Sequence, residues 1–339
     1  MLPKFPGEGP RDLSRPLEQL KFLVDVRFDG QRLDVALATV LPWRSRQSIH
    51  RLIDGGYVTL VGRKASASRR VRTGETVVVD VPKEALPKPV PESDGGIHLP
   101  IVYQDQWMLG IDKPAGMAVH PAGRRLAGTL ITELHRRYRR KDDPAHDVVP
   151  RLLHRIDVET SGIVVVGLCE QFHHLVARQF EERDVQKTYL AVVHGRPARS
   201  EGTIDYSIGP DRKSPVRLKL EARSDGTGIS ASTQYRVLRG NERYTLVELH
   251  PKTGRTHQLR VHMSAIGCPM VGDKIYGGDE RIFLEQLAGP LSDESRARLV
   301  LDRQALHAHK LRFHHPMLDR EMELVAPLPA DMRSLIGDE

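Results

Sequence analysis

The chain has 339 residues, of which 39% are hydrophobic and 28% charged. This balance supports a folded body, and the length predicts two or three domains rather than one. A net charge of +7 favours a polyanionic partner, nucleic acid first, because Lys and Arg that neutralise phosphates release counterions. The two cysteines, Cys169 and Cys268, lack CxxC spacing, which excludes a disulfide framework and a four-cysteine zinc site. No apolar run reaches spanning length and the N-terminus has no signal-like h-region, so the expected compartment is the cytoplasm, with no membrane partner.

Residues 1–20, rich in Pro, Gly and charge, read as a disordered arm. Residues 21–83 predict a small α/β domain. A first helix carries Leu33, Leu37 and Val40 and ends before Pro42. A second, capped by Ser45, runs from Arg46 to Ile53 with Ile49, Leu52 and Ile53 on one face and stops at Gly55-Gly56. Strands follow at Tyr57 to Leu60 and Thr76 to Val81, with turns at Gly62 and Gly74. Arg44, Arg46, Arg51, Arg63, Lys64, Arg69, Arg70 and Arg72 crowd the second helix and the loop between the strands, a grouping suited to a phosphate backbone. The ordered segments Arg32-Leu33-Asp34, Ser45-Arg46, Leu52 to Val58 and Val71 to Glu75 resemble the S-four-type RNA-binding domain.

Residues 84–96 have the Pro and Gly content of a linker. From 97 to 330 the pattern predicts strands at Ile101 to Tyr103, Met108 to Lys113, Ile163 to Gly167, Thr188 to His194, Ser232 to Leu238 and Tyr244 to His250. Helices are predicted at Thr129 to Arg137, Gln171 to Arg183 and Thr256 to Ile266, the second with a stripe of Phe172, Leu175, Val176 and Phe180. Strands and helices mix without a strict βαβ rhythm, so the expected class is α+β with a mixed, largely antiparallel sheet.

The chemistry concentrates in Arg151 to Gly162, where His154-Arg155-Ile156-Asp157 leads through Thr160-Ser161-Gly162 into the apolar run Ile163 to Val166. A polar loop just before a buried strand can hold a carboxylate firmly at a cleft rim. Taken alone, Asp157 reads as an acid bonding its own turn. This stretch, however, resembles the catalytic loop of the RluA-type pseudouridine synthases. The likeness continues through Met108 to Pro121, Gln186 to Ala191, Lys252 to His262 and Pro269 to Asp273. Ile156, Val158 and Ile111-Asp112 depart from the usual pattern.

The resemblance implies a catalytic domain of the pseudouridine synthase type over 97–330, and an isomerase that converts uridine to pseudouridine without a cofactor or metal. It implies Asp157 as the catalytic carboxylate, acting either by attack on the anomeric carbon or by removal of a ribose proton. It also implies Tyr189 as a ring against the uracil, Arg155 as the side chain that fills the place of an extruded base, and an arginine partner for Asp157. That partner matches Arg260, with Arg255 as the stand-in. His154, Thr160, Lys187, Arg255 and His257 complete the expected substrate contacts. The expected partner is structured RNA, large-subunit ribosomal RNA ahead of transfer RNA, and the expected state is a monomer. Two other classes remain open: a non-catalytic RNA-binding factor, which has no need of an acid at 157, and an RNA hydrolase, which would cleave the chain. The histidines show no HExxH spacing, and no acidic cluster suits two-metal chemistry, so no catalytic metal is expected.

Overall fold

The computed structural model describes residues 19–41, 46–80, 97–122, 127–140, 143 and 147–337. Arg44, the Ser45 cap, Val81 and the linker 84–96 lie outside the described residues. The chain divides into two compact units, residues 1–98 with 118–150, and residues 99–117 with 151–339.

In the first unit, β1 (Gln19–Leu23), β2 (Val58–Leu60), β3 (Arg63–Lys64) and β4 (Thr76–Asp80) form an antiparallel sheet of order β1-β4-β2-β3. Strand alternation puts Leu20, Phe22, Val58, Leu60, Val77 and Val79 on one buried face. Against it pack Leu33, Ala36, Leu37 and Val40 of α1 (Leu33–Val40) and Ile49, Leu52 and Ile53 of α2 (Arg46–Asp54). Each large aliphatic side chain buried there contributes about 1.5–3 kcal/mol. The strand begins inside the segment read as an arm: Gln19 and Leu20 pair with Asp80 and Val79. Only two apolar residues alternate there, too few to mark a strand before its partner is known.

Helix α2 ends as its glycines dictate. Gly56 takes a φ of 77°, Tyr57 N donates to Leu52 O at 2.9 Å and Gly56 N to Ile53 O at 3.0 Å, the paired closure of a left-handed helix stop. The same unit holds α3 (Leu130–Tyr138), capped by Thr129, whose Oγ1 accepts from Thr132 N while Thr132 Oγ1 accepts from Thr129 N.

The second unit is built on β5 (Ile101–Gln104), β6 (Met108–Lys113), β7 (Arg151–Leu152), β8 (Ser161–Gly167), β9 (Gln186–His194) and β10 (Glu201–Ile204). It continues with β13 (Thr233–Gly240), β14 (Tyr244–Pro251), β15 (Leu306–His315) and β16 (Arg320–Val325). These strands form one sheet of order β10-β13-β14-β9-β15-β8-β6-β5, with β16 on β15 and β7 on β8. Every described pairing is antiparallel except that of β15 with β8, so the domain is α+β with a mixed, largely antiparallel sheet. A separate hairpin pairs β11 (Ser207–Pro210) with β12 (Leu220–Arg223). Helices α4 (Glu170–Glu182), α5 (Gln258–Ala265), α6 (Arg281–Ala288), α7 (Asp293–Leu299) and α8 (Ala330–Ile336) complete the unit.

Two local expectations change. Leu175, placed on the apolar stripe of α4, is exposed, and Phe172 and Val176 carry the packing against Ile163, Val165 and Phe313. Helix α5 starts at Gln258 rather than Thr256, because His257 adopts the left-handed conformation, φ 55°, and turns the chain into the helix.

Candidate active site

Asp157 sits in the turn between β7 and β8, and successive residues of that turn are anchored separately. Asp157 O accepts from Thr160 N. Val158 O accepts from Gly116 N at 2.8 Å and from the buried Lys113 Nζ at 3.2 Å. Glu159 pairs with Lys274 Nζ at 2.7 Å, Thr160 Oγ1 accepts from Gln304 Nε2 at 2.7 Å, and Ser161 Oγ meets His307 Nδ1 at 2.9 Å. Gly162, at φ 110°, lies so close to β15 that a Cβ there would stand 2.3 Å from Ala308 O. Only glycine fits both the backbone angle and the contact. The turn is thus fixed residue by residue, which holds the Asp157 side chain in one direction.

The Asp157 side chain, 29% exposed, lines a cavity of about 920 Å³ together with Tyr189 and Arg260. Arg260 on α5 donates from Nη1 to Asp157 Oδ2 at 3.1 Å. Its Nε and Nη2 go to Asp273 Oδ2 and Oδ1 at 2.7 and 2.8 Å, and its Cζ lies 5.0 Å from the centre of the Tyr276 ring. Burial pulls the guanidinium pKa down, but Asp273 and Asp157 outweigh it and raise the pKa, so the charge is held. Burial likewise pushes Asp273 up, and Arg260 with the N–H groups of Tyr276 and Ile275 brings it below the usual carboxylate range. Asp157 Oδ1 has no hydrogen-bond partner among the described residues.

The helix that delivers Arg260 is buried from Gln258 to Met263 despite its polar content, because each polar side chain is paired. Gln258 Nε2 donates to Ser232 O and Thr233 Oγ1, its Oε1 accepts from Thr253 Oγ1, and His262 bridges Thr233 Oγ1 and Tyr206 O.

Tyr189 projects from the β9 face that also carries Ala191 and Val193. Burial, and then the negative charge of Asp157, raise its phenol pKa and keep it protonated. His154 accepts from Val165 N through Nε2 at 3.0 Å and stacks on Phe180 with ring centres 4.9 Å apart. Burial, and then Lys187, bring His154 down to about 3. Lys187 lies over the same Phe180 ring at 5.1 Å, its pKa lowered by burial. Arg155 is exposed at the cavity wall. Arg255 also lines the cavity, but its Nε donates to Ser230 O, so of the two candidate arginines it is Arg260 that meets Asp157. His257 Nδ1 lies 2.9 Å from Tyr276 Oη, and burial, then Arg260, lower the imidazole to about 4.

Sequence reasoning assigned no role to Asp273, Tyr276, Gln304, Glu159 or Lys274. Asp273 and Glu159 lay within the quoted motifs, but nothing local marked them as partners. Lys274 is buried with Nζ also donating to Asp302 O at 2.6 Å, and Gln304 Nε2 additionally reaches Asp157 Oδ2 at 3.4 Å.

Of the basic set on the first unit, Arg46, Arg51, Arg63, Lys64, Arg69, Arg70 and Arg72 are all exposed. Asp34, fully buried, accepts from Arg32 Nε at 2.9 Å, Arg46 Nη2 at 3.0 Å and His50 Nε2 at 3.1 Å. Arg32, then Arg46 and His50, hold its carboxyl below the ordinary range despite burial. It ties the basic start of α2 to α1. No three His, Cys, Asp or Glu side chains group as a metal site among the described residues, and no described helix is long and apolar enough to cross a membrane.

Asp157, held by the buried Arg260 and lining a cavity on a mixed sheet, is thus the carboxylate around which this site is arranged. The family model described as RNA pseudouridylate synthase matches residues 108–265. The chain is 38% identical over 310 residues to ribosomal large subunit pseudouridine synthase D of Xanthomonas campestris, covering 91% of this chain and 88% of that one. It is 36% identical to the protein of the same name from Pseudomonas aeruginosa, covering 93% of each. The solved structure of human RNA pseudouridylate synthase domain containing 1 aligns with a TM-score of 0.54 at 28% identity, over 70% of this chain and 88% of that one. The chain belongs to the RNA pseudouridine synthase family.

Proposed function

We propose that this enzyme isomerises specific uridines in large-subunit ribosomal RNA, with Asp157 as the catalytic carboxylate. The observation that carries the reading is the end-on contact of Arg260 Nη1 with Asp157 Oδ2, which leaves Oδ1 without a hydrogen-bond partner among the described residues in a side chain that lines the cavity. A cation on one oxygen favours the anion and fixes its direction while the other oxygen meets the ribose. The N1–C1′ bond of uridine breaks, the base turns, C1′ joins C5, and the C5 proton is replaced by one on N1. Atoms balance without redox change. Oδ1 serves equally for attack at C1′ or removal of the C2′ proton.

The protonated Tyr189 phenol stands beside the base at C5, and the exposed Arg155 fills the stack left by the extruded nucleotide. His154, Lys187 and Arg255 line the approach of the RNA, while Thr160 holds the turn through Gln304. Residues 21–83, read as an S-four-type domain within the first unit, add a phosphate-binding surface through their exposed basic residues. The names of the relatives support large-subunit ribosomal RNA over transfer RNA. The enzyme is a cytoplasmic monomer in this reading. Asp157→Asn tests it: pseudouridine formation is lost while RNA affinity stays within a few-fold. Modification at the normal rate by that variant would overturn the assignment. Chain cleavage by the wild type would favour a hydrolase instead.

A further inference from the structure

His257 is held in a backbone conformation that side-chain-bearing residues rarely adopt, and its ring faces two environments. Nδ1 lies 2.9 Å from Tyr276 Oη. The opposite nitrogen, Nε2, has no hydrogen-bond partner among the described residues, and His257 lines the cavity that holds Asp157.

Satisfying the Tyr276 hydroxyl decides the tautomer. Tyr276 is buried, and its oxygen already accepts from Leu220 N at 3.0 Å. Its own proton needs an acceptor, and among the described residues His257 Nδ1 is the one within reach. With Nδ1 accepting, a neutral imidazole carries its proton on Nε2. The cationic form is disfavoured by burial and then by the Arg260 charge. A neutral N–H with a fixed direction is a competent donor to a neutral oxygen acceptor such as a base carbonyl.

We propose that Tyr276 locks His257 in the Nε2–H tautomer, and that this N–H donates to a carbonyl oxygen of the target uracil. This rests on the reading that the cavity takes a uridine. The donor selects for a base with an acceptor at that position, because a base offering an amino group there leaves two donors facing each other and unpaired. The left-handed backbone at 257 brings the ring to this place at the entry of α5 rather than on its surface.

Two glutamine-family substitutions separate donor from backbone. His257→Gln places an amide N–H near the position of Nε2, whereas His257→Asn suits the left-handed backbone better but reaches only as far as Nδ1. The proposal expects His257→Asn to lose about 10- to 100-fold in kcat/KM on a mapped target RNA, and His257→Gln to recover most of it. If His257 is only a backbone element, asparagine is the better tolerated, and that order overturns the proposal.

Target RNAs with 2-thio- or 4-thiouridine at the modified position identify the acceptor: one of them is a poorer substrate for the wild type and no poorer for His257→Asn. Equal effects in both enzymes overturn the donor role. Nitrogen NMR of the wild-type protein gives an answer independent of activity. Nδ1 is expected to be pyridine-like and Nε2 pyrrole-like, with the preference lost in Tyr276→Phe, and the reverse assignment overturns the lock. A wild-type protein that makes no pseudouridine would instead sink the reading of the cavity, leaving the NMR result standing.

Discussion

Asp273 occupies two of the three nitrogen positions of the Arg260 guanidinium, at 2.7 and 2.8 Å, both residues being buried. This leaves Nη1 as the one nitrogen not engaged by Asp273, and it is Nη1 that makes the single contact with Asp157. A guanidinium free to turn would grip Asp157 with both prongs and occupy both oxygens. Asp273 therefore acts through Arg260, as a positioning residue.

Asp273→Asn tests this. The amide cannot accept both Arg260 N–H groups and still serve Ile275 N and Tyr276 N, which Asp273 Oδ1 does at 3.0 Å each. Breaking one side of a buried ion pair costs about 3–5 kcal/mol. A lowered Tm is expected, with a fall in kcat exceeding any rise in KM, because the aim of Asp157 rather than RNA contact is disturbed. A KM effect alone, measured by steady-state tritium release from C5, would refute the positioning role.

The turn itself gives a second test. Gly162→Ala places a methyl 2.3 Å from Ala308 O at a φ of 110°, so the strand pair β8 and β15 must part where it is parallel. Backbone strain of about 1–3 kcal/mol adds to the steric cost. The variant is expected to lose several degrees or more of Tm and to lose activity with it. Unchanged thermal unfolding would mean that the turn is looser than its contacts indicate.

How far the sequence could reach follows from distance along the chain. The turn that carries Asp157 was readable because it, the strand after it and Thr160-Ser161-Gly162 are contiguous, whereas a role for the acid itself came from the family resemblance alone. Its arginine partner is 103 residues away, and the choice between Arg255 and Arg260 depends on the helix phase. That phase is set by the left-handed turn at His257, which no local propensity announces. Strand β15 escaped for another reason. His307 and His315 fill buried positions, so Leu306 to His315 reads as polar although both imidazoles are paired, His307 to Ser161 and His315 to Asp105. The α+β class survived such losses because the long apolar strands β6, β8, β9 and β14 form the middle of the sheet.

Those buried histidines set a pH dependence. In the folded protein His154 is lowered to about 3, and His257 and His307 to about 4, in each case chiefly by burial, against 6.5 for an unperturbed imidazole. Below 6.5 the unfolded chain binds protons that the folded chain refuses, so stability rises with pH through this window. The contribution is complete above about pH 6.5 and is lost as pH falls toward the folded values. Tm measured from pH 8 down should be flat at first and then fall below about pH 6.5. Replacing His307 by Gln should make the decline shallower, and an unaltered profile would assign the loss to other groups.

The basic surface of the first unit makes the last prediction. Arg69 pairs with Glu75, Arg70 donates to Gly30 O, and Arg46 pairs with Asp34, so part of the charge is spent within the protein. Arg63, Lys64 and Arg72 are exposed and form no ion pair with a described carboxylate, so they are the members of the proposed RNA-binding set to test first. Each phosphate contact contributes roughly 0.7–0.9 to the slope of log affinity against log salt. The triple variant Arg63→Gln, Lys64→Gln, Arg72→Gln should therefore bind target RNA more weakly at low salt, with a slope shallower by about 2–3. The weakening should shrink as salt rises, because the lost term is counterion release rather than base recognition. A triple variant with the wild-type slope would show that this face does not meet the RNA, and would return those three side chains to the role of solvating charge.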